Sequence, residues 1–232
     1  MKNKLFIGLF VSVFALYSCE KDELTLPAEV TLEFAMEPFH TETDLKINSG
    51  FDVDQGIITL EGLEFDGRRE QGGDYFFARN FELPLQAELH SGSANQQVSF
   101  DVPQGVYNRI EMDLSLGMEN EFALRLQGRF QRGPVDEIPV VFEYSFTERI
   151  RIRAKNQDDQ EQIVLKKDQP ATATILMDVP FMFQLVNPGM IQSAHTTTIN
   201  NEEVILITID HNTEIFNLLA PRLEKSIRVI IE

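Results

Sequence analysis

Apolar residues recur at every second position through most of this chain, and that period limits what it can fold into. Val30, Leu32, Phe34 and Met36 alternate with Thr31, Glu33 and Ala35. Successive side chains of a strand point to opposite faces, so the stretch reads as a strand with one buried face. The same alternation runs through Phe81, Leu83, Leu85, Ala87 and Leu89, through Val98, Phe100 and Val102, and through Ile110, Met112, Leu114 and Leu116. It continues through Phe122, Leu124 and Leu126, then Ile138, Val140, Phe142, Tyr144 and Phe146. Between Ile57 and Phe65 the phase shifts around Gly62, from Ile58 and Leu60 to Leu63 and Phe65, which predicts a β-bulge. Arg149, Arg151 and Arg153 alternate with Ile150, Ile152 and Ala154.

Turn residues such as Asp66-Gly67, Gln71-Gly72-Gly73-Asp74 and Pro103-Gln104-Gly105 separate these runs, and almost no helical period precedes residue 179. Many short strands of this kind predict a mainly-β fold, an antiparallel β-sandwich with a short C-terminal helix-containing segment. A sandwich is favoured over a barrel because the strands are unevenly spaced and several carry charged outer faces. The last fifty residues differ. Pro180 to Val186 suits a helical turn or two, closed by Asn187-Pro188-Gly189, and Val204 to Ile209 reads as a central strand. Asn212 is placed to cap a helix whose apolar side is Ile215, Phe216, Leu218, Leu219 and Leu223, with Pro221 splitting it. Ile227, Val229 and Ile231 give a final strand.

The N-terminus carries a different signal. Lys2 and Lys4 precede an uncharged apolar run from Leu5 to Leu16, the order of a secretory signal peptide. The run is too short to cross about 30 Å of bilayer hydrocarbon as a helix. The chain's one cysteine, Cys19, follows at once. Leu16, Ser18 and Cys19 resemble the lipobox of bacterial lipoproteins, with Tyr17 bulkier than that pattern's usual residue. The resemblance implies cleavage before Cys19 and acylation of it, including palmitate, with two or three chains needed for stable anchoring. Glu20-Lys21-Asp22-Glu23 is similar to the surface-export signal of lipoproteins in the Bacteroidota, which implies the outer face of the outer membrane. The expected division is a signal peptide over residues 1–18, an acidic flexible tether over 19–28 and a single mainly-β domain over 29–232, whose portion from about 179 is α/β.

Charge narrows the partners. Loss of residues 1–18 removes Lys2 and Lys4 and no acid, so 20 cations and 37 anions become 18 and 37, a formal net charge of −19. A chain that binds nucleic acid needs clustered Lys and Arg against the phosphates, so nucleic acid is excluded as a partner. Electrostatic docking on anionic lipid is disfavoured too, which leaves attachment to acyl chains on Cys19. With that thiol committed, no internal disulfide is open to the mature chain.

Gly56 to Gly67, and the element Phe100-Asp101-Val102-Pro103-Gln104-Gly105-Val106-Tyr107, resemble the strand-and-turn pattern of β-sandwich lipoproteins of unknown function from the Bacteroidota. That resemblance implies the fold and the envelope location, and transfers no active site.

The residues offer little chemistry. No Gly-x-Ser-x-Gly elbow, His-Glu-x-x-His pair or phosphate-binding glycine loop occurs. His40, His90, His195 and His211 stand singly. Two pairs of carboxylates, Asp52 with Asp54 and Glu111 with Asp113, each point to one side of a strand; Asp52 and Asp54 are the candidate Ca²⁺ ligands, and the polar loop with Asp158, Asp159 and Glu161 is another. No cofactor is expected otherwise. Tyr75-Phe76-Phe77 is the one run of three aromatics, and on a strand at least one ring must face outward. Tyr75 and Phe77 are therefore the candidate ligand-binding residues, since sugars stack on exposed aromatic rings. The absence of Trp weakens glycan recognition. The sequence reading is a non-catalytic, lipid-anchored envelope protein acting in structure or contact with an envelope protein; the alternative is a glycan- or ligand-binding surface lipoprotein beside an outer-membrane uptake system.

Overall fold

A computed structural model describes residues 23–40, 50–119, 121–132 and 136–232. The signal segment, Cys19 and tether residues 20–22 lie outside the described residues. The chain is mainly strand, as the period predicts. The strands are β1 (Pro27–Glu37), β2 (Phe39–His40), β3 (Gly50–Arg69), β4 (Tyr75–Glu88), β5 (Ser99–Pro103), β6 (Gly105–Leu116) and β7 (Leu124–Gln131). They continue with β8 (Glu137–Tyr144), β9 (Glu148–Arg153), β10 (Ile163–Leu165), β11 (Ala171–Asp178), β12 (Thr197–Ile199), β13 (Glu202–Ile207) and β14 (Ile227–Ile231). Four short helices, α1 (Val179–Phe183), α2 (Pro188–Gln192), α3 (Thr213–Leu219) and α4 (Leu223–Ser226), fall in the C-terminal portion.

Two sheets enclose one hydrophobic core. The smaller has the order β14-β11-β1-β5; the larger runs β10-β6-β3-β7-β8-β13-β12, with β2 and β4 added to β3 and β9 added to β6. Most pairs are antiparallel, but β1 with β11 and β8 with β13 are parallel, which the wholly antiparallel expectation did not include. Both parallel pairs join strands far apart in the chain, with connections long enough for a crossover.

The spine of the large sheet is β3. Its Ile57–Gly67 stretch pairs with β4, while its other side pairs first with β7 over Gly50–Ile58 and then with β6 over Leu60–Arg69. Changing partners along one strand curls the sheet. The change coincides with a register shift between Leu60 and Gly62, the bulge that the phase break foretold. A second shift falls between Val53 and Gln55, where Gly128 of β7 crosses so closely that a Cβ there would lie 1.8 Å from the Asp52 carbonyl oxygen. Only glycine permits that approach.

Two features depart from the sequence reading. The tether does not run to residue 28: Glu23–Thr25 is a 3₁₀ turn, Ala28 is fully buried, and β1 already begins at Pro27. The Arg69 guanidinium donates to the carbonyl oxygens of both Leu24 and Gln104, which ties the start of the fold to the β5–β6 turn. Asn212 precedes α3 but does not cap it with its side chain; its backbone is left-handed, at φ 50°. The Asn212 amide instead accepts from the His195 N–H and donates to the carbonyls of His195 and Leu206, pinning the segment after α2 to β13. Pro221 does split the helix, between α3 and α4. The C-terminal portion is built into the sandwich, with β13 in the large sheet and β14 in the small one.

Candidate functional site

The most organised polar surface lies on the outer face of the large sheet, where β4, β3, β6 and β9 run side by side. Directly opposed residues of antiparallel strands share a face. One row across the sheet is Phe76, Asp66, Glu111 and Arg153; the next is Ala78, Glu64, Asp113 and Arg151; the third is Asn80, Gly62, Ser115 and Arg149. Asp113 is the centre. Arg151 donates to it through Nε at 2.7 Å and Nη2 at 2.8 Å, a two-pronged fit to the carboxylate. Arg149 reaches the same carboxylate at 2.6 Å and Glu64 at 2.6 Å through Nη2. The hydrogen bond from Arg151, with that from Arg149, holds the Asp113 carboxyl below the usual carboxylate range although burial works against it. Glu111 lies 3.6 Å from Arg109 and 3.4 Å from Arg153, whose other arm meets Glu161 at 3.1 Å.

A cleft opens beside this face, between the free edge of β9 and that of β14. Its volume is ≈ 530 Å³; Ile152, Ile227 and Val229 line it with apolar surface, and Arg153, Lys155 and Arg228 are its cations. Lys155 closes one end, because its N–H donates to the Val229 carbonyl and its carbonyl accepts from Ile231.

The aromatic run resolves differently from its expectation. Tyr75 and Phe77 turn inward, partly buried against the core. Phe77 stacks on Phe100 of the small sheet with centroids 4.7 Å apart, and the Tyr75 hydroxyl donates to the Asp101 carbonyl at 3.1 Å. Phe65 joins them edge-on, at 6.3 Å from Tyr75 and 6.1 Å from Tyr107. These rings fasten one sheet to the other, so their flat faces are not open to a sugar. The outward ring is Phe76, 62% exposed.

Below that cluster, the Tyr107 hydroxyl donates to the Pro103 carbonyl oxygen at 2.6 Å, the arrangement of a tyrosine corner. Burial pushes the phenol up to about 12. The ring packs against Gly67, where a Cβ would come within 2.5 Å of it.

The candidate calcium ligands are not gathered. Asp52 and Asp54 are both exposed on β3, and among the described residues no three His, Cys, Asp or Glu side chains converge as a metal site would require. In the polar loop, Asp159 accepts from Lys155 at 2.7 Å and Glu161 from Arg153, while Asn156 Oδ1 accepts from the Asp158 and Gln160 N–H groups. That loop is closed by its own polar groups. The pairing of Glu111 with Asp113 on one side of β6 is readable from the sequence, but the arginines that meet them come from a strand whose adjacency only the fold reveals. Cys19 lies outside the described residues.

Set against models of protein families, curated proteins and solved structures, the chain gives no match.

Proposed function

We propose that this chain is a lipid-anchored, non-catalytic protein of the bacterial cell envelope, held on the outer membrane by acyl chains on Cys19 and acting by contact with another envelope protein. The observation that carries the reading is the spacing between Cys19 and the clasp at Arg69. Leu24 is bound into the fold, so only the four residues from Glu20 to Glu23 separate it from the anchor, a reach of at most about 18 Å over five residue steps. A sandwich tethered that closely presents its sides and far end to neighbours in the same membrane. The chemistry of its surface agrees. Glu64, Glu111 and Asp113 of the outer face are each matched by a guanidinium, which suits a durable contact surface better than a general acid or base, whose carboxyl would be tuned toward neutral pH.

Glycan recognition is the weaker reading. In the aromatic run it would rest on the exposed ring of Phe76 rather than on Tyr75 and Phe77.

The test is membrane partition of the full-length chain in its own envelope. The natural protein should sediment with the outer membrane and resist high salt, while Cys19→Ala should leave the outer-membrane fraction with its fold intact. A Cys19→Ala chain that stays with the outer membrane would refute the anchor.

A further inference from the structure

The free edge of β9 has two properties that together describe a partner. The Ala154 N–H donates to Ile110 of β6. In an antiparallel ladder the bonded positions alternate, so the N–H and C=O groups of Ile152 and Ile150 also face β6, and those of Arg149, Arg151 and Arg153 face away. Lys155 keeps that alternation and spends its outward groups on β14. Beyond it β14 diverges, the cleft opens, and the outward groups of Arg153, Arg151 and Arg149 meet no backbone partner among the described residues.

The side chains are the second property. All three arginines stand on the outer face, and Ile150 and Ile152 point to the core side. Each guanidinium keeps donors beyond those it gives to β6 and β3: Arg149 Nη1, Arg151 Nη1 and Arg153 Nε. A strand laid on this edge would place alternate side chains opposite the arginines and the others over the cleft lined by Ile152, Ile227 and Val229. Carboxylates suit the first set and aliphatic groups the second. A second copy of this chain fits badly, because two β9 edges paired antiparallel would set arginine against arginine.

We infer that β9 is an acceptor edge for an extended segment of a partner protein, in which acidic and aliphatic residues alternate, bound by strand addition. This names the partner's form for the contact role proposed above. It does not depend on acylation, so its test and the membrane test fail separately.

The probe is a blocked nine-residue peptide of alternating Glu and Val, added to the natural full-length chain in detergent and followed by fluorescence anisotropy. Binding should weaken at least about tenfold when Lys replaces Glu, since the charge complement is reversed. Arg151→Pro removes the outward N–H without touching a ladder bond, and Arg151→Val removes only the side chain. The proline chain should bind about tenfold more weakly than the valine chain. Should the proline chain not fold, hydrogen exchange on the natural chain decides: the peptide should slow the Arg149, Arg151 and Arg153 amides at least about tenfold. No binding of the Glu peptide at about 1 mM, equal binding by the two substituted chains, or protection that misses these amides would overturn the inference. The arginines would then only guard an edge against aggregation.

Discussion

One strand, β6, shows two ways of holding a sheet together. On its inner face Tyr107, Ile110, Met112 and Leu114 are all fully buried, with the Tyr107 ring packed on Gly67 and its hydroxyl bonded to Pro103. On its outer face Glu111 and Asp113 are held by Arg109, Arg149, Arg151 and Arg153, whose own side chains reach water. The inner face draws on apolar burial, which pH and salt leave almost unchanged. The outer face draws on charge, which both can erase. Apolar burial and charge pairing thus occupy opposite sides of the same backbone.

The sharpest break of this contrast is on the inner side. Tyr107→Ala should cost about 3–5 kcal/mol, by loss of a large buried ring, and Tyr107→Phe about 1–2 kcal/mol, by loss of the hydroxyl's bond to Pro103. Urea unfolding at pH 7 and pH 5 should give the same differences. A strongly pH-dependent cost would mean that Tyr107 belongs with the charged face.

Asp113→Asn should act in the opposite manner, with a smaller loss at pH 7 that shrinks in high salt. Its folded carboxyl titrates below the unfolded one, near 3.9, because Arg151 and Arg149 favour the charged form. The stabilisation is therefore complete above about pH 4 and drains away as pH falls through the folded value. Unfolding curves of the two chains should converge below about pH 4. Curves that stay parallel down to pH 2.5 would remove Asp113 from the account.

The smallest effect should come from Thr59, on the outer side of β3. It is fully buried, and its hydroxyl has no hydrogen-bond partner among the described residues. Thr59→Val should leave stability unchanged or raise it by up to about 1 kcal/mol, because the hydroxyl is desolvated without compensation. A loss above that size, read from the thermal midpoint, would show that the hydroxyl has a partner in solution.

The fold was legible wherever the apolar period was strong, and the bulge at Gly62 could be read from its phase alone. β11 was not, although it is central in the small sheet. Its buried positions begin with Ala171 and Ala173, side chains too small to stand out against Thr172 and Thr174. At Asn212 a short amide before an apolar run predicts a cap, but its left-handed backbone sends the amide to His195 and Leu206. For the candidate site, the arginine alternation was plain but its partners were not: Asp113 sits in a strand more than thirty residues earlier. The run Tyr75-Phe76-Phe77 demands an outward ring without saying which, and the register of Phe77 opposite buried Phe65 gives that place to Phe76, not to the candidates Tyr75 and Phe77.

Mass spectrometry of the N-terminal peptide, from protein purified out of its own membranes, bears most directly on the proposed anchor at Cys19. Residues 1–18 should be gone and the peptide should begin at Cys19 with a diacylglyceryl thioether on sulfur. A peptide that reads unmodified through residue 19, or one that starts at another residue, would contradict it.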